Sequence, residues 1–336
     1  MTRDGIAASA GVRSAKKQSA SRVDAIGSAI AAEEPMTTPA LVSVVMPSLD
    51  QGRFIGAAID SVLEQDYRRI ELIVADGAST DGTVEYLAER SARDDRLRWL
   101  SQKDGGPAEA VNRALARVRG TIVGWLNSDD LYTPGAVGRA VAAFTDHRDW
   151  IMVYGRGEHV DADGRFVGPY PTRPPAGPIE RFADGCFVCQ PTVFFKRTMH
   201  TLLGRLDETL GAAFDFDYWL RAFTAFPDRI GFVDAVQAAS RLHDDCITVK
   251  NRRRVAVEAA RVVARHLGKA PIHWVTTYAD ELLALPAEAR GVDDPRNHLL
   301  RLLDELRDTI DASDYSMLAE AIRNDRRFES AVRRTE

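Results

Sequence analysis

Short apolar runs alternate with amphipathic stretches from residue 41 onward, and this alternation predicts strands separated by helices. The runs LVSVVM, RIELIVA, RLRWL and TIVGWL are short and rich in branched residues, as buried strands are. Between them, FIGAAIDSVLEQ, TVEYLAERSAR and PAEAVNRALARV repeat apolar residues at helical spacing. Unbroken alternation of this kind predicts an α/β fold, in which helices cover both faces of a doubly wound, mainly parallel sheet.

The pattern loosens beyond residue 160. The segment GPYPTRPPAGP predicts a loop that crosses the face of the site, CQPTVFF and IGFVDAV predict strands, and FDFDYWLRAFTAF predicts a helix. After Arg252, the stretches RRRVAVEAARVVARHLG, HLLRLLDELRDTI and DYSMLAEAIRN are amphipathic. They predict a C-terminal α-helical appendage.

The beginning of the chain differs from the rest. Residues 1–39 are rich in Ala, Ser, Thr and charge and lack periodic apolar positions, which predicts a disordered tail. We therefore expect three regions: the tail (1–39), an α/β domain (40–250) and a C-terminal helical region (251–336).

Composition excludes several classes of function. The formal net charge of −5 over 336 residues argues against nucleic acid as a main partner. Three cysteines are too few for a disulfide framework and favour a reducing cytoplasm. A single C-x-x-C, from Cys186 to Cys189, is a poor zinc signal, and on a strand the two thiols would face opposite sides. We expect both to be structural.

The sequence also bears on membranes. No apolar run approaches the ~20 residues that span a bilayer. We expect a cytoplasmic protein of unknown oligomeric state. The basic stretch that begins at Arg252 has two interpretations: a solvated helix face over a packed apolar stripe, or peripheral contact with the inner face of an anionic membrane.

Polar residues follow the predicted strands at the point where each ends. Because the carboxyl ends of parallel strands share one edge of a sheet, these residues are expected to meet in one ligand site. They are Pro47, Ser48 and Asp50 after the first strand, Asp76 after the second, and Asn127, Asp129 and Asp130 after the fourth.

The adjacent acids Asp129 and Asp130 suggest a metal. They could cap the following helix, but Thr133 before Pro134 already offers an N-cap, which leaves the acids for another role. Carboxylates suit Mg²⁺ or Mn²⁺, which bind through one or two of them while substrate phosphates supply further oxygens.

Four ordered segments resemble glycosyltransferase family 2. They are VSVVMPSLDQGRFIGAAIDSVLEQDY, IELIVADGASTDGT, KDGGPAEAVNRAL and GTIVGWLNSDD, and the resemblance extends over residues 42–250. It implies the single-domain GT-A fold, which is Rossmann-like. It also implies transfer of a sugar, with inversion, from a nucleotide-diphosphate donor such as a UDP-sugar to a hydroxyl group. Saccharides and lipid-linked acceptors of cell-surface polysaccharide or glycolipid synthesis are the expected acceptors.

The resemblance implies a nucleotide site. Pro47 and Ser48 would contact the nucleoside, and Asp76 would meet the base. Asn127 stands where the family usually has an acid, and its amide could bind a ribose hydroxyl. Arg241 is a candidate phosphate contact.

The resemblance also implies a site for Mn²⁺ or Mg²⁺. Asp129 would be a metal ligand, Asp130 would assist it, and His243 is a further candidate ligand. Asp50 stands where the family commonly has Asn, which leaves its role open.

The segment FDFDYWLR resembles the family's base-bearing segment. Counting back from Trp219 places the catalytic base at Asp215, with Asp217 as the alternative. Such a carboxylate takes the proton of the acceptor hydroxyl as the new bond forms. Gln190 and Trp219 are expected on the acceptor side.

Other functions are weighed against this one. A nucleotidyltransferase usually needs a Gly-rich, basic loop after the first strand, and PSLDQGRF is a weak match. A nicotinamide-dependent dehydrogenase needs G-x-G-x-x-G at that place, which is absent. A non-catalytic sugar-nucleotide-binding protein remains an alternative, with Asn127 and Phe214 as signs of lost activity.

Overall fold

The computed structural model describes residues 39–325 and residue 327, so residues 1–38 of the predicted tail lie outside the described part. Within that part, strands of one sheet form the centre of the molecule. They are β1 (Val42–Ser48), β2 (Ile70–Asp76), β3 (Leu97–Ser101), β4 (Ile122–Trp125), β5 (Leu131–Tyr132), β6 (Met152–Val160), β7 (Phe166–Pro169), β8 (Phe194–Lys196) and β9 (Ile230–Arg241).

Most strands of this sheet point the same way. The strand order is β3-β2-β1-β4-β8-β6-β9-β5, with β7 beside β6. The first four strands pair in parallel. Strand β8 is antiparallel to both β4 and β6, so β6 points like β4, and β9 is parallel to β6. Six of the nine described strands therefore share one direction, which confirms the mixed, mainly parallel sheet.

Helices alternate with the first strands and then dominate the C-terminal part. They are α1 (Ile55–Leu63), α2 (Thr83–Arg93), α3 (Pro107–Leu115), α4 (Ala136–Asp146), α5 (Arg197–Leu203), α6 (Phe214–Ala225), α7 (Ile247–Lys250), α8 (Arg252–Leu267), α9 (His273–Ala284), α10 (Pro295–Glu305) and α11 (Ala312–Asn324). The last four occupy the predicted C-terminal helical region.

Both faces of the sheet are covered. All seven residues of β1 are buried, and alternate side chains point to opposite faces. Val42, Val44 and Met46 pack into an apolar cluster with α1, α2 and α4. Val45 packs into a second cluster with α3, α6 and the C-terminal helices. This confirms helices on both faces.

The C-terminal helices share a core with the sheet. One apolar cluster contains Trp125 of β4 together with Val262 of α8, Leu302 of α10 and Ile322 of α11. The boundary expected at residue 250 thus crosses a continuous apolar core. A separate unfolding of the two parts would expose that shared surface to water.

The arginines of α8 are engaged in ion pairs. Arg252 pairs with Glu281, Arg253 and Arg261 pair with Glu305, Arg254 pairs with Glu258, and Arg265 pairs with Asp207 and Asp217. These pairs favour the interpretation of a solvated face over a packed stripe, and peripheral membrane contact stays a prediction. Among residues 39–325 and 327, the helices are too short or too polar to cross a bilayer.

The segment CQPTVFF differs from the predicted strand. Gln190–Thr192 form a 3-10 turn, and only Phe194–Lys196 of this segment form a strand. The turn is closed by the Thr192 hydroxyl, which donates to the carbonyl of Cys189 at 2.7 Å. The Gln190 amide also donates to the carbonyl of Trp125 at 2.9 Å. These bonds replace strand pairing.

The predicted cap of helix α4 is wrong. The helix begins at Ala136, and the residue before it, Gly135, has a φ of +79° and supplies no side chain. The hydroxyl of Thr133 instead donates to the carbonyl of Val236 at 2.6 Å, which ties the loop to β9.

A core substitution tests whether the two parts unfold together. Leu302 of α10 is fully buried, so Leu302→Ala should lower the free energy of unfolding by about 2–5 kcal/mol. Circular dichroism and tryptophan fluorescence should report one coincident transition at the lower midpoint. The control Met317→Ala, at a side chain 55% exposed, should leave the midpoint unchanged. Two separate transitions would show that the C-terminal helices fold independently.

Candidate active site

The ends of β1 and β2 lie side by side. Ser48 is paired in register with Asp76, and Pro47 precedes it in the same strand. Asp76 is only 2% exposed. Its carboxylate accepts hydrogen bonds from the backbone N–H groups of Ala78 and Ser79, each at 3.0 Å, and from the hydroxyl of Ser101 at 2.6 Å. Asp76 therefore fixes the loop that follows β2.

A second set of bonds joins that loop to the loop after β1. Asp50, with a φ of +50°, accepts from the N–H of Thr80 at 2.8 Å and donates its own N–H to the Ser79 hydroxyl at 2.7 Å. The N–H of Gly52 donates to Asp81 at 2.7 Å. The role of Asp50 is thus to hold the two loops together.

Two polar atoms on the first loop are buried without a hydrogen-bond partner in the described part of the chain. They are the hydroxyl oxygen of Ser48 and the side-chain carbonyl oxygen of Gln51. Buried polar atoms are usually paired, and unpaired ones call for a physical explanation such as a ligand. They mark the end of β1 as a place for a polar ligand.

Asn127, at the end of β4, is bound on both sides of its amide. Its oxygen accepts from the indole N–H of Trp125 at 3.1 Å. Its nitrogen donates to Gln190 at 2.9 Å and to Asp130 at 3.3 Å. These bonds position the loop, and the predicted ribose contact would require one of them to be replaced.

Asp129 and His243 face each other at the centre of the site. The Nε2 atom of His243 lies 3.1 Å from a carboxylate oxygen of Asp129. The ring of Phe54 lies against the imidazole, with centroids 4.7 Å apart. Phe54 belongs to the segment after β1, so this segment and the acid–histidine pair are in contact.

Asp130 and Arg241 form a buried connection between the residue before β5 and the end of β9. The backbone N–H of Arg241 donates to Asp130 at 2.9 Å. Burial, together with the negative charge of Asp129, raises the pKa of Asp130 well above its ordinary value. Asp130 therefore serves to join two strands rather than to offer an open oxygen.

The side chain of Arg241 is likewise occupied. Its guanidinium donates to the carbonyls of Asp129, Asp161 and Ala162 and lies over the ring of Phe54 at 5.0 Å. The guanidinium thus closes the loop around the site, and phosphate contact is not needed to explain its position.

The geometry of Asp129 and His243 fits a divalent cation. Neighbouring ligands of an octahedral ion with bonds of about 2.1 Å lie about 3 Å apart, which matches the separation of this pair. No group of three or more His, Cys, Asp or Glu side chains within residues 39–325 and 327 is arranged to hold a metal. The side chains of Asp129 and His243 form a hydrogen bond with each other. They could supply at most two protein ligands to such an ion, and a substrate would have to supply the others.

Asp215 lies in the first turn of α6 beside the same site. Burial raises its pKa to about 6, although the N–H of Phe216 donates to it at 2.8 Å. The preceding residue, Phe214, stacks on Trp125 with centroids 5.7 Å apart. Trp125 thus connects the start of helix α6 to Asn127.

A thiol and a phenol lie near both buried acids. Burial raises the pKa of Cys189 and of Tyr170, and the negative charges of Asp130 and Asp215 add to the effect at both groups. The thiols of Cys186 and Cys189 are free. This wall of the site comes from the Pro-rich loop and the turn that follows it.

Gln190 belongs to the same wall. It is 8% exposed and links Asn127 to the carbonyl of Trp125. It therefore borders the site as expected, although its amide is bound by the protein.

Asp217 and Trp219 are not brought to the site. Asp217 is 2% exposed and pairs with Arg221 at 3.0 Å and His266 at 2.9 Å. Trp219 is fully buried in the core, where its ring packs 5.9 Å from that of Trp125. A side chain with no exposed surface cannot touch an acceptor, so the expectation for Trp219 is wrong.

A sequence profile of Glycosyl transferase family 2 matches residues 43–204. The match covers the loops after β1 and β2 as well as Asn127, Asp129 and Asp130. The matched segment, just under half of the chain, is assigned to this family. The resemblance recognised in the four sequence segments is thereby confirmed.

Curated relatives agree with this assignment. An uncharacterised glycosyltransferase of Rickettsia conorii is 29% identical over 218 residues, which are 61% of this chain and 34% of the relative. The chondroitin synthase of Escherichia coli is 28% identical over 186 residues, which are 54% of this chain and 26% of the synthase. The chain spans about a third or less of the length of these relatives.

Solved structures show the same fold. TarS of S. aureus in complex with UDP-GlcNAc superposes with a TM-score of 0.58 at 19% identity, covering 84% of this chain and 91% of TarS. The mannosyltransferase PcManGT of Pyrobaculum calidifontis, in complex with GDP-Man and Mn²⁺, has a TM-score of 0.53 at 19% identity. It covers 89% of this chain and 91% of PcManGT. The GT-A fold is confirmed.

Sequence reasoning missed two residues of this site. Phe54 reads as the first apolar position of a helix, and nothing local marks its contact with His243. Tyr170 lies in the loop expected to cross the site, but one tyrosine among prolines carries no recognisable signal. Both contacts join residues far apart in the chain.

Two aspartates of helix α6 give opposite predictions for stability. The raised pKa of Asp215 means that the folded protein binds its proton more tightly than the unfolded chain does. Stability from this group is therefore lost as pH rises from about 4 to 6. Asp215→Asn should raise the free energy of unfolding at pH 8 by up to about 3 kcal/mol, since one pKa unit equals about 1.4 kcal/mol.

The comparison is denaturant unfolding at pH 4 and pH 8. At pH 4 the Asp215→Asn variant should match the parent. The control Asp217→Asn breaks buried ion pairs with Arg221 and His266 and should destabilise at pH 8. Destabilisation by Asp215→Asn at pH 8 would show that burial does not raise the pKa of Asp215.

Proposed function

We propose that this protein is an inverting glycosyltransferase that uses a divalent metal ion. It transfers a sugar from a nucleotide-diphosphate donor, a UDP-sugar by preference, to a hydroxyl of a saccharide or lipid-linked acceptor. Family membership supports the reaction type. The juxtaposition of Asp129, His243 and Asp215 at the carboxyl edge of the sheet supports the mechanism.

That juxtaposition is the observation that carries the proposal. An inverting transfer needs a group that accepts the proton of the incoming hydroxyl and, opposite it, groups that stabilise the departing diphosphate. Phe214, next to Asp215, stacks on Trp125, whose indole N–H donates to Asn127. Asn127 in turn donates to Asp130. This chain of contacts supports a shared space for the two acids. Asp129 follows Asp130 directly in the chain and faces His243.

Asp215 is suited to the role of base. A general base is most effective when its pKa lies near the working pH, and a pKa of about 6 leaves Asp215 mostly ionised at neutral pH. Its burial also makes the carboxylate a stronger proton acceptor than an exposed aspartate. Asp217, enclosed by Arg221 and His266, is not available for this role.

Asp129 and His243 would hold the metal. The ion, when bound with the donor, would neutralise charge on the leaving diphosphate. The protein's contribution is to fix the carboxylate and the imidazole 3.1 Å apart, and contact with Phe54 holds the imidazole in place. Asp130 and Arg241 keep this pair attached to β4 and β9.

The loops after β1 and β2 would hold the nucleoside. Ser48 offers an unpaired hydroxyl, and the loop shaped by Asp76 lies next to it. A UDP-sugar is preferred because TarS, which shares the fold, is in complex with UDP-GlcNAc. Chondroitin and hyaluronan synthases among the relatives favour polysaccharide synthesis.

Asp215→Asn tests the base. The purified protein with Mn²⁺ should transfer sugar from one member of a panel of UDP- and GDP-sugars to oligosaccharide or lipid-linked acceptors. Asp215→Asn should lower the transfer rate at least about 100-fold, the lower end of what a general base contributes. The parent's rate should rise with pH through about 6, as Asp215 loses its proton, and level off toward neutral pH.

Binding of UDP, measured by calorimetry, separates the base from donor binding. Asp215→Asn should bind UDP with the parent's affinity. A variant that loses UDP binding would show that Asp215 belongs to the donor site. A parent that binds UDP-sugars and transfers none to any acceptor would favour the non-catalytic alternative.

Asp129→Asn and His243→Ala test the metal pair. Each should weaken UDP binding in the presence of Mn²⁺ and leave the weak binding seen in EDTA unchanged, because each removes one metal ligand. EDTA should stop turnover, and Mn²⁺ should restore it. His266→Ala is the matched control, since it removes a histidine from the other buried aspartate pair, with Asp217. Equal loss in all three variants, or chelator-resistant turnover, would contradict the metal site.

A further inference from the structure

The helix that bears Asp215 lacks a cap from its own sequence. Helix α6 begins at Phe214, and Ala213 before it has no side chain that could accept a hydrogen bond. The first N–H groups of a helix have no partners within the helix and need acceptors from elsewhere. The residues before α6, GAA, offer no polar side chain.

Glu258 of α8 instead binds the three residues that lead into α6. Its carboxylate accepts from the N–H groups of Gly211 at 3.0 Å, Ala212 at 2.8 Å and Ala213 at 3.1 Å. The side chain is 7% exposed. Burial opposes its ionisation, but these bonds and that from Arg254 outweigh burial, and the pKa of Glu258 lies below its ordinary value.

Close packing fixes Glu258 in turn. Arg254 donates to it at 2.6 Å, one helical turn away on α8. The guanidinium of Arg254 lies so near Gly211 that a Cβ there would be 2.1 Å from the Arg254 Cζ atom. Glycine at position 211 therefore permits this approach of the two elements.

Helix α8 also holds α6 on its other side. Arg265 and His266 of α8 contact Asp217, at 3.3 and 2.9 Å. Helix α8 therefore contacts residues 211–213, before Asp215, and Asp217, after it. The position of the carboxylate of Asp215 is thus set by a helix outside the segment matched to the family, residues 43–204.

We propose that Glu258 is a positioning residue for the base Asp215, so that helix α8 is part of the catalytic apparatus. This inference rests on the proposed function. Glu258 does not touch substrate. It holds residues 211–213 so that the first turn of α6 presents Asp215 to the acceptor. Displacement of a reacting group by about 1 Å can lower the rate about 100-fold. Loosening the contacts of Glu258 with residues 211–213 should therefore lower the turnover rate.

The test compares Glu258→Gln with Glu305→Gln. Glutamine keeps the size of Glu258 but replaces one acceptor oxygen by an NH₂ group that faces backbone donors. Glu305→Gln weakens the ion pairs of Arg253 and Arg261 on the same helix α8 without involving α6. Glu258→Asp keeps the charge on a shorter side chain and should restore part of the rate.

Three measurements are made on each full-length variant: kcat and KM for the donor, the melting temperature, and the pKa of Asp215 by ¹³C NMR. In Glu258→Gln, kcat should fall about 10- to 100-fold with KM for the donor unchanged. The pKa of Asp215 should fall from about 6 toward its ordinary value, because a loosened helix start admits water to the carboxylate. Glu305→Gln should keep the parent's kcat and Asp215 pKa.

The possible outcomes separate this inference from the proposed function. A Glu258→Gln variant with the parent's kcat and Asp215 pKa would overturn the positioning role while leaving the transferase proposal intact. Equal loss of kcat in Glu258→Gln and Glu305→Gln would assign the effect to general destabilisation and would also overturn it. If the parent transfers no sugar, the proposed function fails, and the NMR comparison alone decides whether Glu258 sets the environment of Asp215.

Discussion

Several acids lie at one edge of the sheet. The site depends on giving each of them a different environment, so that they do not all carry the same charge or play the same role. Carboxylates that approach each other in a poorly hydrated place repel and cannot all stay ionised. The protein gives each a different environment. Asp76 is bound by loop N–H and hydroxyl groups, Asp130 by the N–H of Arg241, and Asp129 by His243. At Asp215 burial dominates. Acids of one type thereby become a loop anchor and a strand link, and two others are given the environments that the proposed metal ligand and the proposed base require.

These environments depend on one another because few elements build them. Phe54 touches both Arg241 and His243, so the segment that follows the first strand also supports the end of β9. Trp125 binds Asn127 through its indole N–H and stacks on Phe214. A shift of the Phe54 ring would displace His243 and Arg241 together, and a shift of Trp125 would displace Asn127 and the start of α6 together. The site is therefore a connected set of contacts.

The sequence predicted the sheet well because both faces of its strands are buried, and buried strands leave short, uniformly apolar runs. The contact of Asp129 with His243 agrees with the two metal-site candidates that the family resemblance implied, and the role of Asp215 stays a prediction. It failed where a tertiary contact decides the local structure. Thr133 binds a carbonyl of β9 instead of capping a helix. Glu258 binds the N–H groups of residues 211–213, more than 40 positions before it in the chain, and no local pattern reveals this contact.

The path of the chain after β9 has a consequence for how such proteins can recombine. Only the short helix α7 separates His243 from α8, so a proposed metal ligand and the cap of the base-bearing helix lie on one continuous stretch. The relatives are longer than this chain and differ in what surrounds their shared part. A hybrid joined at residue 250 would combine an α6 from one parent with an α8 from another, and their mismatched polar contacts would fall beside the reacting groups. Hybrids of family members are expected to be active only when α6 and α8 come from the same parent.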